Sequence, residues 1–324
     1  MKKFFSLLTI AAVLLAPQAC NKHADTPDAA GDSFSVHFRV GTGIATRANS
    51  NFGTGANVDS LCVQVFRVVG DATPTYVKTT AQPTITKVQN GEWDVDMKLA
   101  KSYKYRIAFW AHQSNNGIYT VTDLSAVAVK YSAIATNSDK ADAFCAAREL
   151  AVNGAITETV ELYRPLAQIN LGTNDLTEYL SSLVASDDAS LKVAISMTGV
   201  PSVINVIGGA ATEGKVSATT STPVDVSFPA VAALSVDDKL VVNSKNYEYL
   251  SMVYVLADKT SELTNFTAVI SSATQTINTV TATSVPFQAN YRTNIVGQLL
   301  CGSIHYDVVV VPGFYTPNYD VVVE

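Results

Sequence analysis

Two residues of this chain have the types and surroundings of modification sites. Cys20 closes the run Ala16-Pro17-Gln18-Ala19-Cys20, a small residue directly ahead of a thiol at the end of an apolar stretch. That arrangement suits acylation of the sulfur after a cut at Ala19; ordinary signal-peptidase cleavage with no lipid is the plainer alternative. Arg47 stands in "GIATRANSNFG", residues 43–53, among Gly, Thr, Ala, Ser and Asn. The Arg47–Ala48 bond has the setting of a protease site, because proteolysis needs an extended, accessible segment. A merely solvated loop charge is the competing reading.

The sequence carries no motif for chemistry of other kinds. No GxSxG, HExxH, P-loop or GxGxxG falls in a fitting context. His37, His112 and His305 have no His neighbour at ligand spacing. Asp94 and Asp96 share an alternating face with Glu92 and Lys98, which describes a wet strand face rather than an acid/base pair. The doublets Asp187-Asp188 and Asp237-Asp238 read as solvated loop charge, since calcium takes about six or more oxygens from a shaped loop. Trp93 and Trp110 stand in alternating strand contexts and suit a core better than a sugar-stacking platform. The expectation is a protein without catalytic residues, metal site or cofactor, and not an enzyme. No block of Lys or Arg supplies the footprint of nucleic-acid binding.

The elements that must hold Cys20 and Arg47 follow from composition and periodicity. The 324 residues are 48% hydrophobic and 15% charged, enough for a large core and more than one domain. Val, Thr, Tyr and Phe are abundant and suit pleated surfaces, so the composition is that of an all-β protein. Lys2 and Lys3 precede an apolar stretch too short to span a bilayer, and residues 1–19 read as a leader of lipoprotein type. Its removal takes the formal charge from −6 to −8. Residues 20–32 are polar with Pro and Gly and read as a tether.

The first strand is "SFSVHFRV", with Phe34, Val36, Phe38 and Val40 on one face and Ser35, His37 and Arg39 on the other. Residues 41–60 follow as a Gly-rich segment without periodicity, expected to be one long loop. "EWDVDMKL", "YKYRIAFWAH" and "ITETVELY" continue the alternation, with Asn-Gly turns between them. Arg164-Pro165 opens a second unit, giving expected domains at 33–163 and 164–324. One helix is expected over 174–185, with Asn174 as its cap and Leu176, Leu180, Leu183 and Val184 at helical spacing. Strands then return to the end, which points to sandwiches or barrels. After a lipid takes Cys20, the thiols Cys62, Cys145 and Cys301 remain, at spacings that match no zinc or redox motif.

With the leader "CNKHADTPD", the loop Thr46-Arg47-Ala48, "RPLAQINLGTNDL" and "NYRTNIVGQLL" in place, the chain resembles the fimbrillin-like, Bacteroidales-type fimbrial subunit lipoproteins. The resemblance implies two transthyretin-like or Ig-like β-sandwich domains in tandem, with one short helix in the second. It implies an outer-membrane lipid anchor at Cys20, a surface location and a place in a fimbria. It further implies a cut at Arg47-Ala48, departure of the strand bearing Phe34, Val36, Phe38 and Val40, and entry of a neighbour's strand. The partners would be other fimbrial subunits, self or accessory. The candidate donor is the tail, with Tyr306, Val308 and Val310 in one stretch and Tyr319, Val321 and Val323 in the next. The alternative is a surface lipoprotein that does not polymerise and binds a glycan or host protein.

Overall fold

A computed structural model describes residues 32–43, 52–70, 74–184, 187, 189–233, 239–312 and 321–322. Cys20, Arg47, Ala48, Tyr319 and Val323 therefore lie outside the described residues, and Val321 is described in its backbone alone.

The first ten strands are β1 (Ser33–Gly41), β2 (Ser60–Val69), β3 (Thr75–Lys78), β4 (Thr84–Gln89), β5 (Glu92–Ala100), β6 (Lys104–His112), β7 (Tyr119–Thr120), β8 (Val127–Val129), β9 (Ala143–Ala151) and β10 (Ile156–Glu161). After them come β11 (Leu166–Thr173), the helix α1 (Leu176–Ser182), β12 (Lys192–Asn205), β13 (Ala211–Thr212), β14 (Lys215–Val216) and β15 (Thr219–Ala232). The chain continues through β16 (Lys239–Val242), β17 (Lys245–Leu256), β18 (Glu262–Ser271), β19 (Thr276–Phe287), β20 (Tyr291–Gln298), β21 (His305–Pro312) and β22 (Val321–Val322).

These strands make an all-β protein of two sandwiches. In the first, the sheet β10-β1-β5-β4 faces the sheet β13-β14-β9-β6-β2-β3. In the second, β16-β17-β11-β20-β21-β22 faces β19-β18-β12-β8-β7, with β15 paired to β12. The halves trade short strands across Arg164: β7 and β8 extend the β12 sheet, while β13 and β14 extend the β9 edge of the first sandwich.

Period-two alternation decides which side chains reach the first core. Val36, Phe38 and Val40 of β1 meet Trp93, Val95, Met97 and Leu99 of β5, and all seven are buried. Phe38 stacks edge-on against Phe109 of the facing sheet, ring centres 5.3 Å apart at 77°. The hairpin from β4 to β5 turns on Asn90-Gly91, where Gly91 holds φ +78°, a conformation that Gly adopts without penalty.

Strand β6 departs from a one-sided pattern. Every residue from Tyr105 to His112 is buried. Tyr105, Ile107, Phe109 and Ala111 fill the first core. Ala108 and Trp110 point the other way into the second core, where Trp110 meets Tyr119 edge-on at 5.2 Å. The outer face of this sheet is therefore covered by the segment after it.

The helix is shorter than the spacing predicts. It spans Leu176–Ser182, and Asp175, not Asn174, occupies the cap position, without a side-chain cap bond. Asn174 is drawn into the sheet instead, its N–H donating to the Gly297 carbonyl at 3.1 Å. Leu176 and Tyr179 face the core, whereas Leu180 and Val184 are exposed. Among the described residues, no helix is long and apolar enough to cross a membrane.

Candidate functional site: the slot that holds the first strand

Strand β1 lies inside a sheet, antiparallel to β5 on one side and parallel to β10 on the other. Phe34, Val36, Phe38 and Val40 sit opposite Leu99, Met97, Val95 and Trp93 of β5. On the β10 side, Val36 is opposite Ile156 and Val40 opposite Val160. Val36 is 1% exposed, Phe38 and Val40 are 0% exposed, and Phe34 is half-buried at the start of the strand. The backbone bonding runs past both ends. The Lys101 N–H donates to the Asp32 carbonyl at 2.6 Å, the Leu162 N–H to the Gly41 carbonyl at 2.7 Å, and the Thr42 N–H to the Gly91 carbonyl at 3.0 Å.

The outward face of β1 is tied by charge. His37 Nδ1 lies 2.9 Å from Asp96 Oδ1, and its Nε2 is 4.0 Å from Asp94 Oδ1. Arg39 Nη2 is 3.7 Å from Glu92 Oε2. These contacts are solvent-facing; the Arg39–Glu92 pair contributes about 0–1 kcal/mol, and the His37 contacts are ion pairs only when the imidazole is protonated. The strand leaves the sheet at Gly43, with φ +65°, where an added Cβ would come within 2.5 Å of Glu161 Oε1.

The expected loop of residues 41–60 is anchored well before its end. Phe52 packs edge-on against Tyr249, ring centres 5.8 Å apart. The Gly53 N–H donates to both carboxylate oxygens of Asp139, at 2.8 and 3.0 Å. The Gly53 carbonyl accepts from Arg164 Nη2 at 2.9 Å. Arg164 in turn pairs with Asp142, both 1% exposed, and lies 4.6 Å over the Phe144 ring. Tyr254 donates its hydroxyl to Asp139 Oδ1 at 2.7 Å. Burial raises the Asp139 pKa, against the lowering effect of the Gly53 N–H and the Tyr254 hydroxyl. Val58 is fully buried in the first core. Only residues 44–51, which include Arg47 and Ala48, separate the described end of β1 from this anchor.

The tail strand β21 occupies its own sheet, between β20 and β22. Tyr306, Val308 and Val310 are half-buried, while the opposite row, Val309 and Val311, goes deeper. Val310 pairs with Thr293 on one side and Val321 on the other. The thiols of Cys62, Cys145 and Cys301 are unpaired, and burial pushes Cys145 up to about 12. Trp93 and Trp110 are core residues. Among the described residues, no group of three His, Cys, Asp or Glu is placed to hold a metal ion.

A separate concavity of about 380 Å³ opens over β3 and β6, lined by Tyr76, Lys104, Arg106, Glu149 and Gly209. Its charges are engaged with one another. Glu149 takes Lys104 at 2.7 Å and Arg106 at 2.6 Å. The Arg106 guanidinium also donates to the Ile207 and Gly209 carbonyls and lies 4.1 Å from the Tyr76 ring centre.

The Asp139–Gly53–Arg164 clamp has no motif or spacing that shows in the sequence. Its one visible sign is Arg164, a lone cation between "VELY" and the apolar run after Pro165.

The geometry defines a tandem β-sandwich protein whose first strand is an interior member of its sheet. The chain belongs to the DUF6562 family, a family of unknown function, whose model matches residues 30–324. No curated protein matches it. Solved structures similar to it include a candidate cell adhesion protein from Bacteroides ovatus, at 8% identity, 88% of this chain and 99% of that one covered, and a TM-score of 0.43. A candidate polysaccharide binding protein from Bacteroides thetaiotaomicron is similar at 11% identity, with 86% and 96% covered and a TM-score of 0.42. The tip fimbrial protein Mfa3 from Porphyromonas gingivalis, with C-terminal truncation, is similar at 8% identity, with 86% and 99% covered and a TM-score of 0.41.

Proposed function

We propose that this protein is a non-catalytic subunit of a surface fimbria, exported as a lipoprotein through Cys20, whose strand β1 is a removable plug. Cleavage at Arg47-Ala48 frees the plug, and a strand from another subunit takes its place. The supporting observation is the setting of β1, with three core side chains buried and both backbone edges bonded. Loss of the strand would leave an apolar slot between β5 and β10 and two unpaired edges, which is a template for strand addition. Burial of Val36, Phe38 and Val40 contributes about 1.5–3 kcal/mol each, so an equivalent strand entering the slot recovers a comparable amount. The clamp on Gly53 supports the same reading, because it keeps the downstream side of a cut at Arg47 attached to the body.

Treating the full chain with a trypsin-like protease tests this. The expected result is loss of an N-terminal fragment ending at Arg47, followed by oligomers that resist SDS. A nicked monomer that keeps β1 under the same treatment, without oligomers, would count against the reading. Mass spectrometry of the exported protein tests the anchor, with a diacylglyceryl group expected on Cys20.

A further inference from the structure

We infer that the slot around β1 selects a basic strand from another protein and rejects the strands this chain carries after Arg292. The inference rests on the reading that β1 is removable, and it concerns which strands can replace it. The floor of the slot is apolar and accepts any alternating hydrophobic strand. The rim is not neutral. On the outward face, β5 presents Glu92, Asp94 and Asp96 together with Lys98 opposite Ser35, and β10 presents Glu161, so four carboxylates stand against one ammonium. In register with them, β1 sets His37 opposite Asp96, Arg39 opposite Asp94, and Gly41 opposite both Glu92 and Glu161. The resident strand thus answers an acidic rim with its two basic side chains, and with a residue that has no side chain where two carboxylates flank it.

The chain's own candidate donors have the opposite character. The 32 residues after Arg292 contain no Lys and no Arg, and their charged side chains are Asp307, Asp320 and Glu324. With Tyr319, Val321 and Val323 turned inward, strand alternation turns Asp320, Val322 and Glu324 outward, onto the rim. With Tyr306, Val308 and Val310 inward, the outward row is His305, Asp307, Val309 and Val311. That choice also exposes Val309 and Val311, the two buried valines of β21. Like charges directly opposite each other destabilise a strand pair, and such repulsion is how one partner is refused while another is accepted. The slot therefore fits an extended segment with apolar residues at every second position and Lys, Arg or His between them. Copies of this chain joined head to tail do not meet that requirement.

Peptide displacement on the trypsin-nicked full chain tests the inference, with release of the N-terminal fragment followed by mass spectrometry. The probes are a peptide of residues 33–41, the same peptide carrying His37→Glu and Arg39→Glu, a peptide of residues 314–324, and that peptide carrying Asp320→Lys and Glu324→Lys. The basic member of each pair is expected to displace the fragment roughly tenfold more effectively at low salt. The preference should collapse at 1 M salt, where the screening length is about 3 Å. In the chain variant Asp94→Lys with Asp96→Lys the preference should reverse; should that variant not fold, Asp94→Asn with Asp96→Asn should level it. Equal entry of acidic and basic peptides overturns the charge selection while leaving the removable strand standing. Failure of every peptide, the 33–41 sequence included, overturns both.

Discussion

The Arg164 guanidinium and the Asp142 carboxylate meet in a two-pronged ion pair, Nε to Oδ1 at 2.5 Å and Nη2 to Oδ2 at 2.7 Å, with both side chains 1% exposed. The same guanidinium holds the Gly53 carbonyl. One cation therefore joins three separate stretches of chain: the segment that follows β1, the turn before β9, and the entry to β11. Arg164→Ala leaves the Asp142 carboxylate buried without its partner, and removing one member of such a pair costs about 3–5 kcal/mol. Urea unfolding should register that loss. Hydrogen exchange at residues 52–54 should rise beyond what the global destabilisation explains, because Gly53 loses one of its two anchors.

Asp139 holds the other side of Gly53, and its titration has a defined sign. Burial raises its pKa above the ordinary 3.8, so the folded state binds this proton more tightly than the unfolded chain does. Below 3.8 both states are protonated and the group adds no slope. As pH rises from there through the raised value, the folded state pays for ionising a buried carboxyl, and stability falls. Asp139→Asn removes the titration. The difference in unfolding free energy between wild type and Asp139→Asn should therefore shift against the wild type as pH climbs from 3.8 toward neutrality. A difference that stays flat over that window would mean Asp139 is not held as described.

How much of this was legible in the sequence depends on whether an element is buried on one face or two. Strands β1 and β5 each bury a single face, so strict alternation marked Phe38, Val40, Trp93 and Val95 as core without any knowledge of neighbours. Strand β6 is buried on both faces, and its second covering comes from Tyr119 and the residues after it, which no local period encodes. The helix cap was misplaced by one residue for a similar reason. Asp175 and Asn174 both qualify as caps on propensity, and a distant hairpin claims them for other bonds. The anchoring of Phe52 and Gly53 was hidden because glycine carries no pattern, and its partners Asp139 and Arg164 lie 86 and 111 residues away.

The slot's floor makes a simple mutational claim. Phe38 is fully buried and meets Phe109 edge-on at 5.3 Å. Phe38→Ala should destabilise the uncut chain by about 3–5 kcal/mol, the usual range for an emptied aromatic site. It should also hasten departure of the N-terminal fragment after proteolysis, since the fragment then buries less. Ser35→Ala, on the outward face of the same strand, should change neither by more than about 0.5 kcal/mol. Fragment release that is equally fast in both variants would show that Phe38 does not retain the strand.

Asp175 carries the last prediction. Its carboxylate is buried and accepts the N–H of Leu300 at 3.0 Å and of Cys301 at 2.9 Å, with Leu299 at 3.3 Å, and Thr173 donates its hydroxyl to the same group. Three consecutive amides at the turn from β20 to β21 thus converge on one side chain. This explains why a residue at the helix cap position makes no cap bond. Asp175→Ala leaves those donors without their acceptor, at about 1–3 kcal/mol for a buried group left unsatisfied. Asp175→Asn keeps one oxygen and should cost less. Amide exchange at residues 299–301 should accelerate in the order wild type, Asn, Ala. The strand β21, a candidate donor, should loosen with it, because its entry into the sheet is set by that turn. Unchanged exchange at 299–301 in the Ala variant would show that the turn holds its shape without the carboxylate.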